Sequence, residues 1–78
     1  MNKERRATLR DIKSRLDSIR DEIEQVKDDE QGAFYNLPDG LQASDRGYQM
    51  QDNVSELEDV INTIENDVIE KIDTIAAG

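Results

Sequence analysis

Large aliphatic residues recur through the first half of the chain at Leu9, Ile12, Leu16, Ile19, Ile23 and Val26, spaced 3, 4, 3, 4 and 3 residues apart. This is a heptad seam of the coiled-coil kind, with mostly charged residues between its members. On a helix the six fall within an arc of about 100°, the width of one buried face. The second half carries Met50, Val54, Leu57, Ile61, Ile64, Val68 and Ile75 on the same rhythm, broken only where Lys71 takes a seam position. Val60 and Ile72 widen this second stripe. Neither segment contains proline, and Glu, Arg, Lys and Leu recur in both, so the pattern predicts two long helices over about 3–35 and 45–75. At 1.5 Å per residue each is a rod of roughly 45–50 Å.

The only proline lies between them, in residues 36–44, Asn-Leu-Pro-Asp-Gly-Leu-Gln-Ala-Ser. Leu37-Pro38-Asp39-Gly40 fits a type I turn, since proline presets φ at the second position and glycine suits the fourth. Ser44 is a good N-cap for the second helix, its hydroxyl placed to accept from the N–H of Arg46 or Gly47, and Asp45 favours the positive end of the helix dipole. Gly32 and Gly47 each weaken helix by about 1 kcal/mol relative to alanine, so fraying is expected near them. A chain reversing about residue 40 pairs residues whose numbers sum to about 80. Ile12 then faces Val68, Leu16 faces Ile64, Ile19 faces Ile61, Ile23 faces Leu57 and Val26 faces Val54. Lys13 meets Glu65 and Arg20 meets Glu58, pairs that disfavour shifted registers. The predicted architecture is one domain over residues 1–78, an all-α antiparallel two-helix hairpin, coiled-coil-like.

The chain has 78 residues, of which 37% are charged and 35% hydrophobic. So short a sequence builds only a small core and normally needs disulfides, a metal, very regular packing or a partner chain. It contains no Cys and no His. That removes disulfides, thiol nucleophiles, Ser-His-Asp triads and zinc sites built on those ligands. The expectation is a protein without enzymatic activity or cofactor, acting by protein–protein contact. A hairpin leaves the sides of a broad apolar stripe wet, and the simplest remedy is a second copy, giving a homodimeric four-helix bundle through Val60, Ile64 and Ile72. A different protein partner would use the same stripe. Ile69 lies off the main arc and marks either an added contact or a stray surface aliphatic. Phe34, Tyr35 and Tyr48 gather around the turn with Leu37 and Leu41. They form either a recognition tip or a cap on the bundle end with both leucines folded inward.

Net charge is -9, which disfavours nucleic acid or an anionic membrane as principal partner. Residues 1–20 hold seven Lys or Arg and three Asp or Glu, and the remainder three and sixteen, so a hairpin lays a basic start beside an acidic end. Lys3, Arg6, Arg10, Lys13 and Arg20 form a basic stripe that would either grip phosphates or neutralise the second helix. No aromatic residue interleaves with it to stack on bases, which favours neutralisation. Asp52, Glu56, Asp59, Glu70 and Asp73 line an acidic face, either an ordinary solvated surface or an imitation of a nucleic-acid backbone. Asp28-Asp29-Glu30 offers carboxylate oxygens to a divalent cation but lacks the spaced loop and glycine of a calcium site. No apolar run approaches the roughly 18 residues that span a bilayer, and no secretory signal pattern opens the sequence, so a cytoplasmic location is expected.

Residues 36–47, Asn-Leu-Pro-Asp-Gly-Leu-Gln-Ala-Ser-Asp-Arg-Gly, entered from a charged helix and followed by repeated Leu, Glu, Ile and Asp, resemble the central motif of small acidic proteins of bacteriophages and prophages. The likeness covers the turn and the helix after it, about half the chain. It implies a phage origin and a helical hairpin, and transfers no catalytic or binding residue. Such phage proteins include inhibitors of host defence, so the resemblance also implies an alternative role, an acidic inhibitor of a nucleic-acid-handling host protein.

Overall fold

In the computed structural model, which describes residues 1–78, everything is helical apart from the chain ends and two short connections. Helix α1 spans Lys3–Tyr35. Asn2 caps its start, accepting from the Arg5 N–H at 2.8 Å, and Glu4 lies in the first turn where the helix dipole favours a carboxylate. At the far end the Asn36 N–H still reaches the Gly32 carbonyl at 3.1 Å, and Pro38 prevents continuation. Helix α2 is a single turn, Asp39–Gln42. A second rod runs back along α1, made of α3 (Asp45–Thr63), a π-helical stretch (Ile64–Ile69) and α4 (Glu70–Ala77). The whole is a rod with extents of 59 × 16 × 11 Å.

The reversal differs from the expected type I turn over Leu37–Gly40. Pro38 has ψ 145°, an extended value, and its carbonyl accepts from the Leu41 N–H at 2.8 Å. The turn therefore starts one residue later and continues as α2. Ser44 caps α3 as expected: the Gly47 N–H donates to its hydroxyl oxygen at 3.4 Å, while the hydroxyl donates to the Leu41 carbonyl. Gly47 is not a point of fraying. It is buried, and a Cβ there would collide with the main chain of Gln42. The missing side chain lets α2 fold down onto the first turn of α3.

A longer reversal moves the register. Near the turn Asn53 donates to Glu30 at 2.8 Å, a pair whose numbers sum to 83. Farther out Arg20 meets Glu65 at 3.3 Å, summing to 85, and Lys13 meets Asp73 at 3.4 Å, summing to 86. The expected pairs Lys13–Glu65 and Arg20–Glu58 are thus replaced by pairs farther along the second rod. The aliphatic pairing moves with them. Val26 lies beside Leu57 and Val60 rather than against Val54, which shares a groove with Gln31 and Phe34.

The π-helical stretch resolves the break at Lys71. An uninterrupted α-helix would carry the seam from Ile61 and Ile64 through Val68, Lys71 and Ile75, placing an ammonium group in the contact. Between Ile64 and Ile69 the backbone instead makes wider turns, and the Glu70 N–H bonds to the carbonyl of Glu65, five residues back. The extra residue rotates the remainder of the rod by about 100° and changes the set that meets α1. Ile69 and Ala76 are buried and Ile72 half-buried, while Lys71 and Ile75 face solvent. Ile69 is therefore core, neither a stray surface aliphatic nor an added contact. With Ile61 and Ala76 it makes up the buried hydrophobic core.

Arg6 and Arg10 close the open end of the hairpin. Arg6 Nη2 donates to the Gly78 carbonyl at 2.8 Å and Arg10 Nη2 to that of Ala76 at 3.4 Å. Cations at these carbonyls complement the negative end of the α4 dipole.

Candidate interaction surface

Heptad geometry gives the hairpin two unlike flanks. The α1 residues Leu9, Leu16 and Ile23 point toward the second rod and are half-buried. Four residues after each stand Lys13, Arg20 and Lys27, all on one side of that line. This flank is polar. Lys13 pairs with Asp73, Arg20 with Glu65, and Lys27 shares a groove with Glu58 and Glu65. Arg20 gathers three carboxylates, with Asp21 at 2.9 Å, Glu65 at 3.3 Å and Asp17 at 3.8 Å. The hydrogen bond to Asp21, joined by the charges of Asp21, Glu65 and Asp17, holds its pKa above the ordinary arginine value against partial desolvation. Titration of Arg20 itself removes this cluster only in strongly alkaline solution.

Three residues after Leu16 and Ile23 stand Ile19 and Val26, on the other side. On the second rod Val60 precedes buried Ile61 and Ile75 precedes buried Ala76, which puts both on that same side. These four are exposed at 46, 56, 43 and 51%, respectively. Val26, Leu57 and Val60 line an open groove of about 540 Å³, rimmed by Asp29, Glu30, Asn53 and Glu56. One flank of the hairpin is thus tied by ion pairs, and the other carries the exposed aliphatics among polar residues, with Lys71 beside Ile75.

The remaining candidate residues fall into place around this asymmetry. Ile12 is half-buried at the edge of the seam, and Ile64 and Val68, within the π-helical stretch, are half-buried too. Of the contact residues named from sequence, Val60 lies on the flank of exposed aliphatics, whereas Ile69 and Ile72 are turned into the hairpin. At the tip, Phe34 is half-buried and meets Tyr35 edge to face with ring centroids 5.6 Å apart, while Tyr35 and Tyr48 are exposed. Leu37 is half-buried but Leu41 is exposed, so only one of the two leucines folds inward. The acidic face is divided. Asp52, Asp59 and Glu70 are exposed on the second rod, Glu56 rims the aliphatic groove, and Asp73 is drawn to Lys13.

Four members of the basic stripe are engaged within the chain, Arg6 and Arg10 with carbonyls and Lys13 and Arg20 with carboxylates. The carboxylates of residues 28–30 diverge, Asp28 to Lys27, Asp29 to Gln25 and Glu30 to Asn53. No helix is long and apolar enough to cross a membrane. The π-helical stretch is what sequence reasoning missed, and the lysine in the seam was its visible signal. No protein family, curated protein or solved structure matches this chain.

Proposed function

We propose that this protein is a non-enzymatic interaction module that self-associates and presents a helical surface to a protein partner in the cytoplasm. The observation that carries this reading is the imbalance between Ile61, Ile69 and Ala76, the hydrophobic side chains the hairpin buries, and Ile19, Val26, Val60 and Ile75, which it leaves open along one flank. A core of three residues is small for a chain of this length, and covering the flank supplies the missing apolar burial. Association that stabilises the folded form raises the thermal midpoint with concentration. Over about a hundredfold range of protein concentration the helical signal is expected to melt at rising temperature. A midpoint independent of concentration would overturn the reading.

A second reading rests on charge. Residues 21–64, the half of the rod that includes the turn, carry twelve Asp or Glu and only two Lys or Arg. Such a surface suits an acidic inhibitor or nucleic-acid mimic, in keeping with the resemblance of residues 36–47 to phage proteins. Displacement of labelled DNA or RNA from a host enzyme by this chain would favour it over the first.

A further inference from the structure

We infer that the flank of exposed aliphatics is the seat of a second copy of this chain packed antiparallel, its turn beside the open end of the first. The inference rests on the self-association proposed above and adds both the surface and the direction. The surface follows from shape. One side of a rod 59 Å long and 16 Å wide is large enough for the ~800 Å² per partner that a stable interface buries. On the flank in question the exposed aliphatics occupy the middle of the rod, with Val60 level with Val26, Ile75 about 15 residues or about 22 Å farther along α1, and Ile19 between them.

The direction follows from charge. The turn half, residues 21–64, has two bases and twelve acids and carries -10. The open half, residues 1–20 and 65–78, has eight bases and seven acids and carries +1. Side-by-side packing with the turns together would bring two -10 halves into contact. Antiparallel packing sets each against the other copy's near-neutral half. A two-fold axis near Ile19, midway along α1, also brings Arg15 of each copy level with Glu22 of the other at the edge of the flank. Those residues lie four positions before and three positions after Ile19.

The test uses one spin label per chain. Gly40 is at the turn with open space where a Cβ would stand, and the chain has no cysteine of its own, so Gly40→Cys takes a single nitroxide. In the antiparallel dimer the two labels are about 50 Å apart or more, the length of α1. With the turns together they are within about 20 Å, set by the spacing of packed helices. Mass is measured on the same labelled sample. A dimer with the long distance supports the inference. A dimer with the short distance overturns the inference and leaves self-association standing, whereas a monomer overturns self-association and the inference with it. Val60→Arg tests the surface, with Asn62→Arg, on the polar flank, as its control. Val60→Arg is expected to weaken dimerisation by at least about tenfold while Asn62→Arg changes it by less than about threefold. Loss of helicity by Val60→Arg alone counts the same way, because this side chain meets solvent in the isolated hairpin. Equal effects of the two substitutions would overturn the choice of flank.

Discussion

A methyl group at Gly47 would overlap the preceding connection, with the Gln42 carbonyl carbon at 2.7 Å and the Leu41 carbonyl oxygen at 2.8 Å. Main chain does not yield as a flexible side chain does, so Gly47→Ala must push α2 off α3. Gly32, in the interior of α1, has nothing within 4 Å of the same position. Two identical substitutions in helices therefore have opposite signs. Gly32→Ala is expected to stabilise by about 0.5–1 kcal/mol through helix propensity. Gly47→Ala is expected to destabilise by about 1–3 kcal/mol through overpacking. Urea unfolding of both variants checks this, and stabilisation by Gly47→Ala would show that α2 does not press on the helix start. The cap at Ser44 is legible in the sequence because capping is local, fixed by a hydroxyl and an N–H three residues on. The role of Gly47 is not. It depends on where the turn before it lies, and from sequence the short connection reads as a simpler turn.

Among the elements, the π-helical stretch decides which residues form the core. The second rod contains two overlapping apolar series, one through Ile64, Val68, Lys71 and Ile75 and one through Ile69, Ile72 and Ala76. The heptad rhythm selects the first, and the buried residues belong to the second. Burying Lys71 would cost the desolvation of an ammonium group, which outweighs the loosened geometry of one wide turn. Deleting the exposed residue Asn66 removes the extra residue and brings Leu57, Ile61, Ile64, Ile69, Ile72 and Ala76 onto an uninterrupted heptad. That deletion is expected to keep the helical content and raise the melting temperature. Loss of folding on deletion would show that the wide turn does not serve to bring the second series into phase. The two long helices are legible because each rests on a repeated signal. The register is not, because it depends on the length of the reversal. The added turn of α2 and the extra residue in the second rod move Arg20 from Glu58 to Glu65, and Lys13 from Glu65 to Asp73.

At the scale of the whole molecule the hairpin is unequal in two directions. Across its width, ion pairs occupy one flank and exposed aliphatics the other. Along its length, a turn half of charge -10 meets an open half of charge +1. The sequence shows the second inequality directly, since charges can be counted once the chain is known to double back. The first is hidden there because Ile19 and Val26 belong to the same heptad seam as Leu16 and Ile23, and only the relative placement of the two rods shows which members are left uncovered. The proposal of a partner surface nevertheless starts from what the sequence shows, the shortness of the chain and its lack of disulfides or zinc ligands. The contact expected from sequence includes Ile69 and Ile72, which the rotation after Ile64 turns inward. Val60 keeps its place on the open side, joined there by Ile19, Val26 and Ile75.

The most direct test of a hairpin that leaves one apolar flank for its own kind is the mass of the unmodified protein in solution. Sedimentation equilibrium is expected to give twice the 8.9 kDa of one chain, shifting toward the single-chain mass on dilution. A mass of 8.9 kDa at every concentration, with helicity and a cooperative melt intact, would contradict the account.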